Sequence, residues 1–333
     1  MIETAVVILN YNGKQFLQQF LPGVITHSGA AKIFVADNAS TDDSVSFLEQ
    51  NFSGQVSIIR LPANMGYCGG YNAALQQIEA TYYVLLNSDV EVTPGWIDPV
   101  LTCFKNNPAI AAAQPKIRSY ANRTHFEYAG AAGGFVDSLG YPFCRGRLFQ
   151  TLEKDNGQYD DARPVFWATG ACLFIRAAVF HQQQGFDEDF FAHMEEIDLC
   201  WRMQRAGGVI YYTGASCVYH VGGGTLPKSN PAKTYFNFRN GLTLLIKNLP
   251  TRQLLWKLPL RLVLDWLAAI RFLVGGSPAN AWAVARAHAA SVKNFTHNYG
   301  KRKQIRFFPT HYRGLLLADY YLRGKRTFSK LDF

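Results

Sequence analysis

Short, continuous apolar runs alternate with longer mixed stretches over the first third of this chain. AVVILN (5–10), AKIFVADN (31–38), VSIIRL (56–61) and YYVLLNSDVEV (82–92) read as strands buried on both faces, the last ending in polar residues. Between them, residues 14–25, the segment opening STDDS and the segment NMGYCGGYNAALQQIEA have helical spacing. The second starts with good N-cap residues and the third follows a glycine-rich turn. Strand–helix alternation of this kind predicts an α/β fold on a largely parallel, helix-covered sheet.

Further along, TPGWIDPVLTCFKNN predicts a helix, AIAAAQPKI a strand, and VFWATGACLFIRAAVF a strand running into a helix. Residues 119–164 are rich in Gly, Tyr and Arg with weak periodicity, which predicts a long irregular stretch suited to an acceptor pocket. GVIYYTGASCVYHVGGGT predicts a strand ending at His220 before a glycine run. Just before it, FDEDFFAHMEEIDLCWRMQRAG crowds Asp187, Glu188, Asp189, Glu195, Glu196 and Asp198 around the start of a helix. Acids in a first turn are favoured by the helix dipole, each by about 0.3–1 kcal/mol, so some of these need no further role.

That crowding is notable because the formal net charge is +9. The charge is unevenly placed: 15 basic and 21 acidic residues precede residue 231, against 18 and 3 after it. A basic C-terminal part points to a polyanion such as anionic lipid, nucleic acid or acidic glycan. Hydrophobic content of 48% with 17% charged residues describes a globular chain with a substantial core. Six scattered cysteines without a C-x-x-C pair suggest a reducing compartment and no structural zinc. The opening MIETAVVILNYNG enters a strand directly, so no cleavable targeting segment is expected.

Ligands of open α/β sheets bind beyond the carboxyl ends of the strands. Those ends carry Asn10-Tyr11-Asn12, Asp37-Asn38 and Asn87-Ser88-Asp89. All are ordinary turn residues, but three polar clusters at successive strand ends converge on one rim. A dinucleotide fold would need G-x-G-x-x-G after the first strand, where NYNGKQ stands, and the P-loop signature is absent.

Taken in order, VVILNYNG, VADNASTDDS, NMGYCGGYNAAL, LLNSDVEVTPGW, GFDEDFFAHMEEIDLCWRMQRAG, VYHVGG and FNFRNGLTLLIKN resemble the family 2 glycosyltransferases. These are inverting enzymes of the GT-A fold, and the similarity is to their rhamnosyltransferase-like branch, over residues 4–248. The resemblance implies a Rossmann-like mixed sheet covered by helices for residues 1–230, followed by a basic, mainly helical region over 231–333. It also implies a nucleotide-diphosphate sugar as donor, a dTDP- or UDP-sugar and at branch level dTDP-rhamnose. The acceptor would be a saccharide or lipid-linked saccharide in cell-surface polysaccharide synthesis.

Site roles follow from the same resemblance. Asp37 matches the base-binding aspartate, able to accept from the N3–H of uracil or thymine, and Tyr11 would pack on the nucleotide. Asn10 and Asn87 stand at the strand ends around it, while Asn64, Gly66 and Gly70 would let backbone approach the donor. NSD replaces the D-x-D motif, leaving Asp89 as its one acid; with His220, which matches a metal-binding histidine, it would hold Mn²⁺ or Mg²⁺. HMEEIDL matches E-D-x-D-L, which makes Glu196 the general base with Glu for Asp. Glu195 is its neighbour and the rival for that role. Asp198 and Arg202 look structural, Asp187–Asp189 look like turn caps, and Arg239 and Asn240 are placed near the acceptor or the donor phosphates. The alternatives are a sugar nucleotidyltransferase, which lacks its glycine loop here, and a degenerate, non-catalytic binding subunit.

RQLLWKLPLRLVLDWLAAIRFLVGG (252–276) is apolar but interrupted by Lys257, Arg261, Asp265 and Arg271. Each charge would cost about 2.5–3.5 kcal/mol at a bilayer centre, which argues against a span. An interfacial helix with Trp256, Trp266 and Phe272 in the headgroup zone and a helix packed on the catalytic part are equally open. KRKQIRFF and RGKRTF would add attraction to anionic lipid. The expected location is therefore cytoplasmic, peripheral on the membrane face. No recognition motif supports nucleic acid.

Overall fold

The computed structural model describes residues 2–222, 230–302, 305 and 307–333. Gly223 and Gly224 of the glycine run, and residues 303, 304 and 306 of KRKQIRFF, lie outside the described residues. A mixed sheet runs through the centre. Its first part consists of β1 (Ile2–Asn10), β2 (Lys32–Asp37), β3 (Ser57–Arg60) and β4 (Ala80–Asn87), all parallel. The chain returns through α1 (Lys14–His27), α2 (Ser44–Asn51) and α3 (Gly66–Leu75). Helices on both faces explain why the strands are apolar at consecutive positions: Val6, Val7, Val84 and Leu85 are all fully buried.

The second part adds β5 (Val90–Val92), α4 (Asp98–Asn106) and β6 (Ile110–Ser119). A small antiparallel sheet follows, made of β7 (Gly134–Val136), β8 (Pro142–Cys144), β9 (Arg147–Leu148) and β10 (Thr151–Leu152). The main sheet is completed by β11 (Ala162–Val165), β12 (Cys172–Arg176) and β13 (Val209–His220), with α5 (Ala177–Gln182) and α6 (Glu195–Arg205) between the last two. Strand order is β11-β13-β6-β12-β4-β1-β2-β3, with β5 against β13. Because β12 runs against both β4 and β6, only one half of the sheet is purely parallel. The reversal puts the start of β12 on the same rim as the ends of β1, β2, β4, β6 and β13.

Residues 119–164 are therefore not the irregular stretch that weak periodicity predicts. Strands of two or three residues are too short to show a period, and Phe126, Phe135, Phe143 and Leu148 belong to the main core.

From residue 231 the chain is helical: α7 (Pro231–Asn248), α8 (Thr251–Val274), α9 (Pro278–Lys293), α10 (Phe295–Gly300) and α11 (Leu316–Tyr321). Secondary structure changes there, but the core continues. Leu244, Leu245, Leu249, Tyr312 and Phe328 pack in the same cluster as Leu85, Leu173 and Trp201. Part of the C-terminal basic excess is also used internally, since Lys247 and Lys301 pair with acids of the Asp187–Asp198 segment.

Candidate active site

Asn10, at the end of β1, is fully buried, and its amide donates to Asp37 Oδ1 (3.1 Å) and Ser40 Oγ (3.1 Å). Asp37 Oδ2 accepts the Ser40 N–H (3.0 Å). Asn12 accepts from the Thr41 and Asp42 amides at 2.7 and 3.2 Å, so the turns after β1 and β2 are fastened together. Tyr11 stays exposed beside them. Asn38 brings in the third turn: its amide donates to Asn64 Oδ1 and Gly66 O (both 3.1 Å), and its Oδ1 accepts the Met65 N–H (3.0 Å).

The two candidate glycines make room for protein, which corrects the role read from sequence. A Cβ on Gly66, whose φ is +67°, would sit 2.7 Å from the Phe191 ring. A Cβ on Gly70 would sit 2.8 Å from Leu9, at the packing of α3 on β1. Neither space is open to a ligand.

Asp89 follows β4, and its carbonyl accepts the Val221 N–H (3.1 Å), which ties it to the end of β13. There His220 Nε2 faces Asp89 Oδ1 at 3.2 Å, while Nδ1 faces Glu127 Oε2 at 3.4 Å. Burial alone would lower the imidazole, but the Asp89 and Glu127 carboxylates outweigh it and raise His220 to about 10. Burial works upward on both carboxyls, yet the imidazole holds Asp89 and Glu127 below their ordinary values. The two facing atoms also suit a shared cation: ligands about 2.0–2.2 Å from one ion at a right angle lie ~3 Å apart. Glu127 on the far nitrogen is then the orienting carboxylate that metal-bound imidazoles commonly have. Among the described residues no three His, Cys, Asp or Glu side chains are grouped to hold a metal. An ion held by this pair alone, such as Mg²⁺ or Mn²⁺, would need phosphate and water to complete its ligands. Glu91 is not part of the group, because Arg123 clasps its carboxylate at 2.7 and 2.8 Å.

The acid-rich segment enters α6 through strained backbone. Phe191, His193 and Met194 have φ of 62°, 69° and 73°, in the left-handed region that non-glycine residues avoid. α7 holds that conformation. The buried Asn240 amide lies 3.0, 2.8 and 2.7 Å from the carbonyl oxygens of Phe190, Ala192 and His193. Arg239 Nη2 donates to Asp189 O and Phe190 O at 2.8 Å each. Asn240 is thus committed to backbone and out of reach of acceptor or phosphate, contrary to the sequence expectation. Both residues act on the site by positioning this loop.

What the loop positions is Glu195 and Glu196. Each leaves a buried Oε2 without a hydrogen-bond partner. Burial pushes Glu196 up to about 7. Burial, with Glu196 as neighbour, pushes Glu195 well up too. Both carboxyls are felt at Tyr67, whose phenol is raised by burial and then by Tyr71, Glu195 and Glu196. Tyr67 O–H donates to Gly170 O (2.8 Å), Tyr67 N–H to Phe191 O (3.2 Å), and Asn87 N–H to Ala171 O (3.0 Å). This chain of contacts links the end of β4, beside Asp89, to the entry of α6.

Asp198, one turn on, is different. Arg202 Nε (2.8 Å), Lys247 Nζ (2.9 Å) and Asn248 Nδ2 (2.8 Å) surround it. Asp187 pairs with Lys247 (2.5 Å) and Lys301 (2.6 Å), and Asp189 with Lys301 (2.5 Å) and His297 (2.6 Å). These aspartates are structural, and Asp187 Oδ1 also caps its turn by accepting the Asp189 N–H.

Three residues of the site escape sequence reasoning. Glu127 is one of several acids scattered through the weakly periodic stretch, with no acidic neighbour to mark it. Tyr67 sits in a motif where the glycines draw attention. His193, whose buried Nε2 has no partner, is lowered to about 4 by burial and then by Lys233. The HMEE spacing is the one signal that points toward it.

The family model described as glycosyl transferase family 2 matches residues 5–181. Over 234 residues the chain is 29% identical to the N-acetylglucosaminyl-diphospho-decaprenol L-rhamnosyltransferase of Mycobacterium tuberculosis, covering 65% of this chain and 75% of that protein. It is 25% identical over 207 residues to the low-salt glycan biosynthesis hexosyltransferase Agl10 of Haloferax volcanii, covering 61% of this chain and 62% of that one. Among solved structures, GalNAc-T7 with UDP, GalNAc and Mn²⁺ superposes with a TM-score of 0.58 at 14% identity, over 90% of this chain and 58% of that one. Staphylococcus aureus TarS 1–349 with UDP-GlcNAc gives 0.55 at 13% identity, over 94% and 100%. These two likenesses establish the shared glycosyltransferase fold.

Proposed function

This chain belongs to glycosyl transferase family 2, and from that premise we propose an inverting sugar transfer in which Glu196 is the general base. The donor is a nucleoside-diphosphate sugar of the dTDP or UDP class, and the acceptor is a lipid-linked saccharide. One observation carries the reading: adjacent glutamates, Glu195 buried and Glu196 half-buried, each with a buried unpartnered Oε2, Glu196 raised to about 7, at a rim that also presents Asp37, Asp89 and His220. A base poised near operating pH combines the right protonation state with enough proton affinity.

The residues divide the work. Asp37, held by Asn10 and Ser40, accepts from the base, and Tyr11 packs against the nucleoside with Asn64 and Asn87 alongside. Asp89 and His220 would hold a divalent cation, Mn²⁺ or Mg²⁺, which when bound would supply charge neutralisation for the departing diphosphate. Glu196 takes the proton of the acceptor hydroxyl. That oxygen attacks the anomeric carbon as the bond to the diphosphate breaks on the opposite face, and the electron pair leaves with the diphosphate. No covalent enzyme intermediate forms, so one carboxylate suffices. Glu195 stays protonated beside it, which keeps the pair at a single negative charge.

Support for the donor and acceptor classes comes from the decaprenol-linked rhamnosyltransferase relative and the UDP complexes of the structural neighbours. A lipid-linked acceptor requires work at a membrane surface, and we place the enzyme at its cytoplasmic face. None of the described helices is long and apolar enough to cross a membrane.

A thermal-shift panel with UDP, dTDP, GDP and CMP, each with and without Mn²⁺, tests the donor site. A ligand at 100 times its dissociation constant stabilises by about 2.7 kcal/mol, a shift of several degrees. The expected result is a Mn²⁺-dependent shift with UDP or dTDP that Asp89→Asn abolishes. Silence across the panel would overturn the donor assignment.

A further inference from the structure

The helix α8 is amphipathic with its faces exchanged. Charged residues spaced i, i+4 would ordinarily face water. Here Lys257, Arg261 and Asp265 are 4, 3 and 1% exposed, while Trp256, Val263 and Leu267 on the other side are 54, 57 and 57% exposed. The inward stripe is satisfied by the protein. Arg261 Nε donates to Asp265 Oδ1 (3.0 Å) and its guanidinium lies 3.5 Å from the Tyr141 ring centroid. Tyr141 O–H donates to Asp265 (3.4 Å) and His288 Nε2 faces Asp265 Oδ2 at 3.4 Å. Lys257 Nζ lies over the Phe308 ring at 4.8 Å. Phe272, expected at a headgroup zone, instead packs inward with Ala269, Ala281 and Val284.

The outward stripe runs Trp256, Leu260, Val263, Leu267, Ile270, Val274, every third or fourth residue along the helix, and all six are exposed. Arg252 continues it one turn earlier and Arg271 flanks its end, both exposed. Trp282 on α9 is exposed as well. Of the three acids after residue 230, Asp265 and Asp319 are buried, which leaves Asp332 as the exposed one.

We infer that α8 lies in the plane of an anionic bilayer surface, its apolar stripe among the acyl chains and its flanking arginines at the lipid phosphates. An apolar helix face rimmed by cations and nearly free of acid fits that surface. Single exposed apolar residues are ordinary, but a continuous stripe along most of a 24-residue helix is not. Docking thus runs through the apolar face of α8, with the basic segments near the C-terminus as an adjunct. The lipid-linked acceptor of the proposed function supplies the biological reason for the docking, while the docking stands on the helix itself. Since α7 holds the Phe190–His193 loop and packs on α8 and α9, the docked face is mechanically continuous with the entry of α6.

The test is flotation of the full chain with vesicles of phosphatidylcholine and phosphatidylglycerol in equal parts. The wild-type chain is expected to float, and Val263→Asp/Leu267→Asp is expected to reduce the floated fraction about tenfold or more. Both sites are exposed, so the variant should keep its circular dichroism and its nucleotide-induced thermal shift. Wild-type chain left at the bottom of the gradient, or a variant that floats like wild type, would overturn the inference. So would sedimentation showing a dimer that the variant dissociates, because a second copy would then cover the face. Flotation needs neither donor nor metal, so failure of the proposed chemistry would leave this result intact, and the reverse holds too.

Discussion

Glu195 and Asp198 stand three residues apart on α6, both buried, and their carboxyl groups are driven in opposite directions. Asp198 meets Lys247, Arg202 and Asn248, whose attraction outweighs burial and holds it far below the usual range. Among the described residues Glu195 and Glu196 form no ion pair, each has an Oε2 without a hydrogen-bond partner, and burial pushes both carboxyls up. One helix turn therefore contains an ion-paired aspartate and two glutamates whose carboxyls are pushed toward the protonated form. The difference lies in where Lys247 and Lys301 place their positive charge: among the described residues, the ion pairs that Lys247, Lys301 and His297 make with side chains of this segment all go to aspartates. A buried carboxylate with partners is a clamp, and one without them is available for chemistry.

The sharpest way to break that contrast is Glu196→Gln. Loss of a positioned base should reduce turnover about 10²–10⁴-fold, with urea denaturation showing no loss of stability. Asp198→Asn should do the converse. It leaves Arg202 without its anion and Lys247 with Asp187 alone, and breaking a buried pair costs up to about 3–5 kcal/mol, read as a lower urea midpoint. An Asp198→Asn chain as stable as wild type but dead would mean the roles are exchanged.

A smaller effect comes from pH. With Glu196 at about 7, activity requires its ionised form, so the rate should fall about tenfold per pH unit below that value and level off above it. The limb should persist in Glu195→Gln and vanish in the residual activity of Glu196→Gln. Its loss in Glu195→Gln instead would make Glu195 the base.

How far this contrast was legible in the sequence depended on reach. Strand-end polarity located Asp37, Asp89 and His220, because period and chain direction fix which residues meet at a rim. The motif around HMEEID marked the glutamates, and i, i+4 spacing marked Asp198–Arg202. Nothing local announced Glu127, which meets His220 only through the fold of a stretch whose strands are too short to show a period. Arg239 and Asn240 were visible as polar residues of a motif, but their partners are carbonyls some fifty positions earlier. The faces of α8 show the same limit. Sequence alone left an interfacial helix and a packed helix equally open, because the groups that receive its charged face, Tyr141, Leu139 O and His288, lie far along the chain.

The smallest expected effect is on stability and concerns Glu195 alone. Its carboxyl titrates from an ordinary 4.5 in the unfolded chain and well above that when folded. Between those values the folded state binds a proton that the unfolded state does not, so stability falls as pH rises from about 4.5 upward. Asp198 has the reverse dependence, its contribution being lost as pH falls below 3.8. Glu195→Gln removes the titration while keeping the shape of the protonated acid. Urea midpoints of Glu195→Gln and wild type should therefore agree near pH 4.5 and separate towards pH 8, with the variant the more stable. A constant gap across that range would mean that Glu195 has a partner in solution after all, and the distinction between the two kinds of acid on α6 would then rest on Glu196 alone.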